Sequence, residues 1–156
     1  MTNAREWISY NFAVLRVVPH VHTGVFMPVG VVLHARTAEF IGVRVITDLE
    51  ELGARAGDAD VALLARYLGS CKAIAEGEIT AGPIALAPPS ERFHWLTAPR
   101  SDVVQSGPVH EGLSEDPAAT LEVLFATLVA GGQIPTTETK GKGNGKRRNA
   151  SRSTPS

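Results

Sequence analysis

Three apolar runs follow one another in the first third of the chain. They cover residues 10–18, 25–33 and 40–46, and each is rich in Val, Ile or Phe. The polar gaps between them, at 20–24 and 36–39, have the length of hairpin loops, and a glycine in the first gap suits the positive φ that such loops use. The pattern therefore predicts an antiparallel three-stranded meander.

Polar and apolar side chains alternate within two of these runs, as they do when a strand buries one face. In the third run Ile41, Val43 and Val45 lie on the side opposite Arg44. In the first run the two sides are Ala13, Leu15 and Val17 against Phe12, Val14 and Arg16. We expect one face of the sheet to form the core and the other to be only partly covered. Gly30, inside the second run, predicts a bulge or a close approach of two backbones.

The middle of the chain has helical periodicity. Asp58 and Asp60 suit a helix N-terminus, and Gly77 stands where a C-terminal cap belongs. Between them, apolar residues recur at steps of three and four: Val61, Leu64, Leu68, Cys71 and Ala75. Cys71 lies on this stripe, which favours a buried and unreactive thiol.

The last element is a helix that begins at an Asp-Pro pair. Asp116 is the expected N-cap, Pro117 takes the first helical position, and the apolar stripe is Leu121, Leu124, Phe125 and Leu128. Between the two helices we expect a proline-rich loop at 82–89, a strand at 93–98 and a short extended piece at 103–105. The fold class predicted is α+β, with an antiparallel sheet, begun by the meander, packed against two main helices.

Length and charge divide the chain into two parts. Its 156 residues suit a single domain, which we place at 1–135. Residues 136–156 hold six of the 15 basic residues and one of the 16 acidic ones, a net charge of +5, whereas 1–135 carries −6. Because this C-terminal segment has no large apolar residue to bury, the sequence predicts a disordered basic tail.

The cysteine count, the length of the apolar runs and the motifs of the sequence limit which compartment and which cofactors we expect. One cysteine cannot form an internal disulfide, and the apolar runs are shorter than the roughly 20 residues of a membrane span. The N-terminus does not resemble a signal peptide, so we expect a cytoplasmic protein. Nucleotide-phosphate loops and the serine-hydrolase elbow do not occur. His20 and His22 have no third ligand nearby, so we expect no metal and no cofactor.

The densest cluster of polar side chains lies between residues 90 and 110. Its candidate site residues are Arg92, His94, Arg100, Ser101, Gln105 and His110. Guanidinium, imidazole and hydroxyl groups together suit recognition of a phosphate or carboxylate, and on a strand Arg92 and His94 share a side. The alternative is that Glu91 and Arg92 form a solvated pair, that His94 lies on the surface, and that the neighbouring apolar residues are core.

The basic tail offers a separate hypothesis, binding to nucleic acid. Six cations in contact with phosphates would make affinity steeply dependent on salt. The tail has no aromatic residue to stack on bases, however, and the acidic domain would repel the same polymer. We therefore favour a solubilising or accessory terminus.

Several segments resemble a bacterial family known as domain of unknown function 3037. They read YNFAVLRVVP at 10–19, GVFMPVGVVL at 24–33, ERFHWL at 91–96, PRS at 99–101 and DP at 116–117. The resemblance covers about residues 10–129 and not the tail. Family members often have a glutamate and an asparagine where this chain has Val25 and Pro28, so this chain lacks those acidic and amide side chains.

The resemblance implies a partner but no established activity. Some relatives are encoded beside a HipA-like protein kinase, which suggests a module of two proteins with this one as the smaller. The leading hypothesis is accordingly a non-catalytic binding or accessory protein that acts with a protein partner, with a HipA-like kinase as the candidate. The rival is a small enzyme or ligand-binding domain for a phosphorylated or nucleotide-like substrate that uses the 90–110 segment. Whether the protein is an enzyme stays open.

Overall fold

The computed structural model describes residues 6–20, 25–57, 60–98 and 104–130. Within these residues the chain forms one antiparallel sheet of five strands. The strands are β1 (Ile8–His20), β2 (Val25–Ala35), β3 (Phe40–Val45), β4 (Val104–Ser106) and β5 (His110–Ser114). Their order is β3-β2-β1-β4, with β5 also paired to β1. The predicted meander is confirmed as β1, β2 and β3.

The two short strands together make one edge of the sheet. β4 pairs with 15–17 of β1, and β5 pairs with 8–12 of the same strand. Between them the chain stays close to β1, because the Gly107 N–H donates a hydrogen bond of 2.8 Å to the Val14 carbonyl. β4 and β5 therefore act as a single edge strand that is interrupted at 107–109.

Helices cover both faces of this sheet. They are α1 (Leu49–Ala56), α2 (Val61–Ala75), α3 (Pro89–Thr97) and α4 (Pro117–Phe125), the last continued by a π-helical turn at Ala126–Ala130. Short 3₁₀ turns lie at Arg36–Ala38, Ile79–Ala81 and Pro83–Leu86. None of the helices in the described residues is both long enough and apolar enough to cross a membrane.

The helix signals read from the sequence are confirmed for α2 and α4. The Asp60 carboxylate accepts a hydrogen bond from the Leu63 N–H, and the Asp116 carboxylate accepts one from the Ala119 N–H, each at 3.2 Å. Pro117 occupies the first turn of α4, where a proline loses no hydrogen bond. Gly77, just beyond α2, has a φ of 75°, which a residue without a side chain adopts freely.

Alternation along the strands places helices α3 and α4 on opposite faces of the sheet. Ala13, Leu15 and Val17 are fully or almost fully buried on what we call the core face, and α3 stacks on this face through Phe93 against His34. The side chains next to these in each strand point to the opposite face of the sheet. Gly42 lies against Leu121 of α4 on that opposite side, which we call the α4 face.

One prediction about local structure is wrong, and two elements were not predicted. Residues 93–97 of the segment 93–98, which was predicted as a strand, belong to helix α3, whose Phe93 and Leu96 are buried at a helical spacing of three. The segment is too short for its apolar pattern to distinguish the two structures, and Pro89 starts the helix. Helix α1 and strand β5 were not predicted. The predicted tail at 136–156 lies outside the described residues.

Candidate interaction surface

Arg92, first among the candidate ligand residues, is engaged with the protein's own backbone. Its Nε donates to the Ala87 carbonyl at 2.8 Å. Its Nη1 donates to the carbonyls of Ile74 and Ala75 at 3.2 and 2.8 Å. These last two carbonyls belong to the end of α2, whose final carbonyl groups lack partners within the helix. Arg92 therefore caps α2 and ties it to α3.

The other candidate residues are distributed over the two sides of the sheet. His94 is exposed on α3, over the core face. Because it is two positions after Arg92 on a helix, the two side chains point in different directions. Gln105 and His110 lie on the edge strand, where their partners in β1 are Arg16 and Phe12 of the α4 face. The four described members thus do not line a common pocket. Arg100 and Ser101 lie outside the described residues, and a site formed by all six stays a prediction.

We expect Arg92→Met to lower the free energy of unfolding by about 1.5 kcal/mol, because three carbonyls lose a charged donor. Urea denaturation followed by circular dichroism measures this. Arg66→Met is the matched control, since Arg66 is exposed on the same helix that Arg92 caps. Equal stability of the two variants would show that the Arg92 cap contributes nothing.

The single thiol is poorly placed for nucleophilic chemistry. Cys71 is buried on α2, and this burial raises its pKa to about 11. The reactive thiolate is therefore scarce at neutral pH. Nowhere in the described ranges do three or more His, Cys, Asp or Glu side chains lie together as a metal site requires. His22 and the side chain of His20 are outside the described part.

One histidine that the sequence did not single out is buried in the core. His34 lies on β2, and its ring stacks on Phe93 of α3 with 5.4 Å between centroids. Burial lowers the pKa of His34 below its ordinary value, and the positive charge of Arg36 lowers it further. The folded protein thus favours the neutral imidazole at the contact between the sheet and α3.

We expect the protein to lose stability on mild acidification because of His34. As the pH falls, His34 is protonated in the unfolded chain before it is protonated in the folded protein. The stability that depends on a neutral His34 is therefore complete above about pH 6.5, and it is lost as the pH falls from there through the lower pKa of the folded state. Urea midpoints between pH 7.5 and 5 measure the effect. His34→Gln should flatten the profile, and His94→Gln, on the exposed side of α3, controls for the loss of an imidazole as such. A profile unchanged by His34→Gln contradicts the assignment.

In the described part of the chain, helix covers little of the half of the α4 face that β1 and the edge strand form. α4 packs over β2 and β3, and β1 and the edge strand lie beside it. An aromatic row, which we define as Tyr10, Phe12 and His110, crosses this half. The ring centroids are 6.1 Å apart for Tyr10 and Phe12 and 5.2 Å apart for Phe12 and His110. Both β1 rings are only partly buried, so this half of the sheet presents aromatic surface.

A cation extends the aromatic row along β1. The guanidinium carbon of Arg16 lies 3.9 Å from the centroid of the Phe26 ring, a cation–π contact. The Nε of Arg16 is buried without a hydrogen-bond partner among the described residues. Arg16 is thus held by ring contact on the open sheet face.

An apolar groove lies at the end of the edge strand, next to the start of α4. Three large apolar side chains line it, and Trp7, Leu113 and Val123 are each 62% exposed. The groove has a volume of about 350 Å³ and is also lined by Ser114, Glu115, Asp116, Ala119 and Thr120. We call it the edge groove. Its acidic members and its three exposed apolar residues give it an amphipathic character.

The sequence held only a partial signal for these surfaces. One side of the sheet was expected to be only partly covered, and in β1 this is the side that carries Phe12, Val14 and Arg16. Trp7 precedes the first apolar run, and Leu113 stands alone in a polar segment. Neither belongs to a periodic pattern, so only the folded chain brings them together.

Comparison with other proteins adds a family to this geometry. Neither the curated proteins nor the solved structures gave a match. A family model, described as a protein of unknown function (DUF3037), matches residues 12–129, which include all five strands at least in part and helices α1 to α4. The matched part holds the core, the aromatic row except Tyr10, and most of the edge groove. The chain therefore belongs to the DUF3037 family.

Proposed function

We propose that this protein is a non-catalytic accessory protein of the cytoplasm that binds a protein partner, with a HipA-like kinase as the candidate. The observation that carries the proposal is the edge groove, where three large apolar side chains are each 62% exposed. Clustered apolar exposure of this kind marks interaction sites on soluble proteins. The aromatic row, on the α4 face of β1 and the edge strand, adds Tyr and Phe, residue types enriched at interface cores.

The dispersal of the polar candidates supports a binding role over a catalytic one. Arg92 is engaged with three carbonyls, and His94 is exposed on the far side of the sheet from His110. A general acid or base needs its partner groups within hydrogen-bonding reach. The described residues offer no such convergence, whereas their exposed apolar side chains do converge.

Co-expression with the HipA-like kinase encoded beside a member of this family tests the proposal. We expect the two proteins to elute together on size exclusion at micromolar concentration. Trp7→Ala should weaken the complex at least about tenfold, since large aromatic residues dominate interface energetics. Ile79→Ala is the matched control, because Ile79 is 73% exposed and does not line the groove. Separate elution of the unmodified proteins contradicts the proposal.

A further inference from the structure

We infer that β5 is a docking edge, to which an extended segment of a protein partner adds as a further strand. The inference rests on the proposed function and specifies its mode of binding. The segment we infer runs antiparallel to β5 and carries an apolar residue followed, two positions later, by a basic one. Three features of the described residues lead to this occupant: the open edge, the side chains on it and the charge around it.

The outer edge of β5 is open in the described part of the chain. β5 pairs with β1, and no other described strand pairs with it. The outward backbone N–H and C=O groups of such a strand are a template for strand addition. Proteins often block an edge with lysine or proline. The β5 sequence HEGLS contains neither, and Pro108 lies in the interruption before the strand.

The side chains of β5 define what the added strand must carry. Glu111 and Leu113 are in register with Asn11 and Ser9, so both point to the same side of the sheet. Leu113 is 62% exposed beside Trp7, and Glu111 is exposed as well. Directly opposed side chains on neighbouring strands contact each other. A strand that pairs antiparallel with β5 therefore meets Leu113 first and Glu111 second.

Charge favours a basic partner segment over a nucleic acid. Residues 1–135 carry a net charge of −6, and Glu115 and Asp116 add acidic groups at the edge groove. This acidic domain repels a polyanion, and the chain's own basic segment at 136–156 has no large apolar residue to place opposite Leu113. A cationic segment is attracted and can pair with Glu111.

Two peptides and one charge reversal test the inference on the full chain. The probe is the blocked heptapeptide Thr-Thr-Val-Thr-Lys-Thr-Thr, and the comparison peptide has Glu in place of Lys. We expect the Lys peptide to slow hydrogen exchange of the β5 amides that do not bond to β1. We also expect it to bind roughly fivefold more tightly than the Glu peptide, as one cross-strand charge pair allows. Glu111→Lys should reverse this preference.

The result separates this inference from the proposed function. Protection of β5 amides together with the reversed preference supports strand addition. Binding without protection of β5, no binding at millimolar peptide, or an unchanged preference in Glu111→Lys overturns it. If the kinase still elutes with the protein in that case, the proposed function stands and only the docking mode is wrong. Leu113→Thr, which keeps a strand-forming residue but removes the apolar contact, should weaken the Lys peptide without affecting the fold.

Discussion

Replacing Arg55 by methionine is expected to lower the free energy of unfolding by about 3 kcal/mol, because two backbone carbonyls in or near the core lose a charged donor. Arg55 lies on α1 and is 4% exposed. Its Nη1 donates to the Pro28 carbonyl at 3.0 Å and to the Val129 carbonyl at 2.9 Å. Its Nη2 lies 3.3 Å from the Glu51 carboxylate, one turn earlier on the same helix.

These contacts join three parts of the fold that are distant in sequence. Pro28 is beside the bulge in β2, and Val129 is the fully buried residue of the π-helical turn after α4. α1 is thus attached both to the sheet and to the last element of the described chain. Methionine fills similar space but donates no hydrogen bond, so the Val129 carbonyl would be left buried without this donor, which costs more than a lost surface contact.

Urea denaturation of three variants checks this expectation. Arg55→Lys should lie between the wild type and Arg55→Met, because an ammonium group keeps the charge but not the planar fork of donors. Arg66→Met, on the exposed side of α2, should change stability by less than about 0.5 kcal/mol. If Arg55→Met and Arg66→Met unfold at the same urea concentration, the three-way connection contributes nothing.

Long periodic segments could be predicted from the sequence, and the structure confirms them. The three strands of the meander are long apolar runs separated by short polar gaps, and β1 and β3 also alternate. α2 and α4 have both a cap and a stripe, and Asp60 and Asp116 make the hydrogen bonds expected of N-caps. In each case a local signal and a periodic signal agree, which is the condition under which sequence patterns are reliable.

Short segments could not be predicted, because tertiary contacts decide their structure. α1 has eight residues and α3 has nine, too few for propensity to stabilise a helix alone. α3 is held by Arg92, which caps α2, and by the stacking of Phe93 on His34. β5 is a polar segment whose strand conformation comes from pairing with β1. None of these contacts produces a periodic pattern in the sequence from which the element could be predicted.

The candidate ligand residues show the same limit. Their proximity along the chain suggested a common surface, but the four described members are divided between a helix and a sheet edge. Arg92 is used by the fold, and His110 instead joins the aromatic row through Phe12. Adjacency in sequence predicts adjacency in space only within one element, and here the segment spans three.

Gly30→Ala is expected to cost about 2 kcal/mol, whereas Gly112→Ala should cost less than about 0.5 kcal/mol. The distances from the added Cβ atoms alone would predict the opposite order. A Cβ at Gly112 would lie 2.5 Å from Tyr10 Cζ and Oη, closer than the 2.8 Å between a Cβ at Gly30 and Val45 Cγ1. The difference lies in what can move. The Tyr10 ring is partly exposed and can rotate away, while Val45 is 3% exposed in the core.

The backbone makes the constraint at Gly30 stricter still. A Cβ there would also lie 3.0 Å from the carbonyl oxygen of Arg44, an atom fixed by the pairing of β2 with β3. Gly30 also adjoins the bulge at which β2 has one residue more than β1. The bulge and the close backbone approach that a glycine in this strand predicts are therefore both present. Thermal or urea unfolding of the two variants measures the difference. A Gly112→Ala variant less stable than Gly30→Ala would show that the Tyr10 ring is held in place and that the core around Val45 yields.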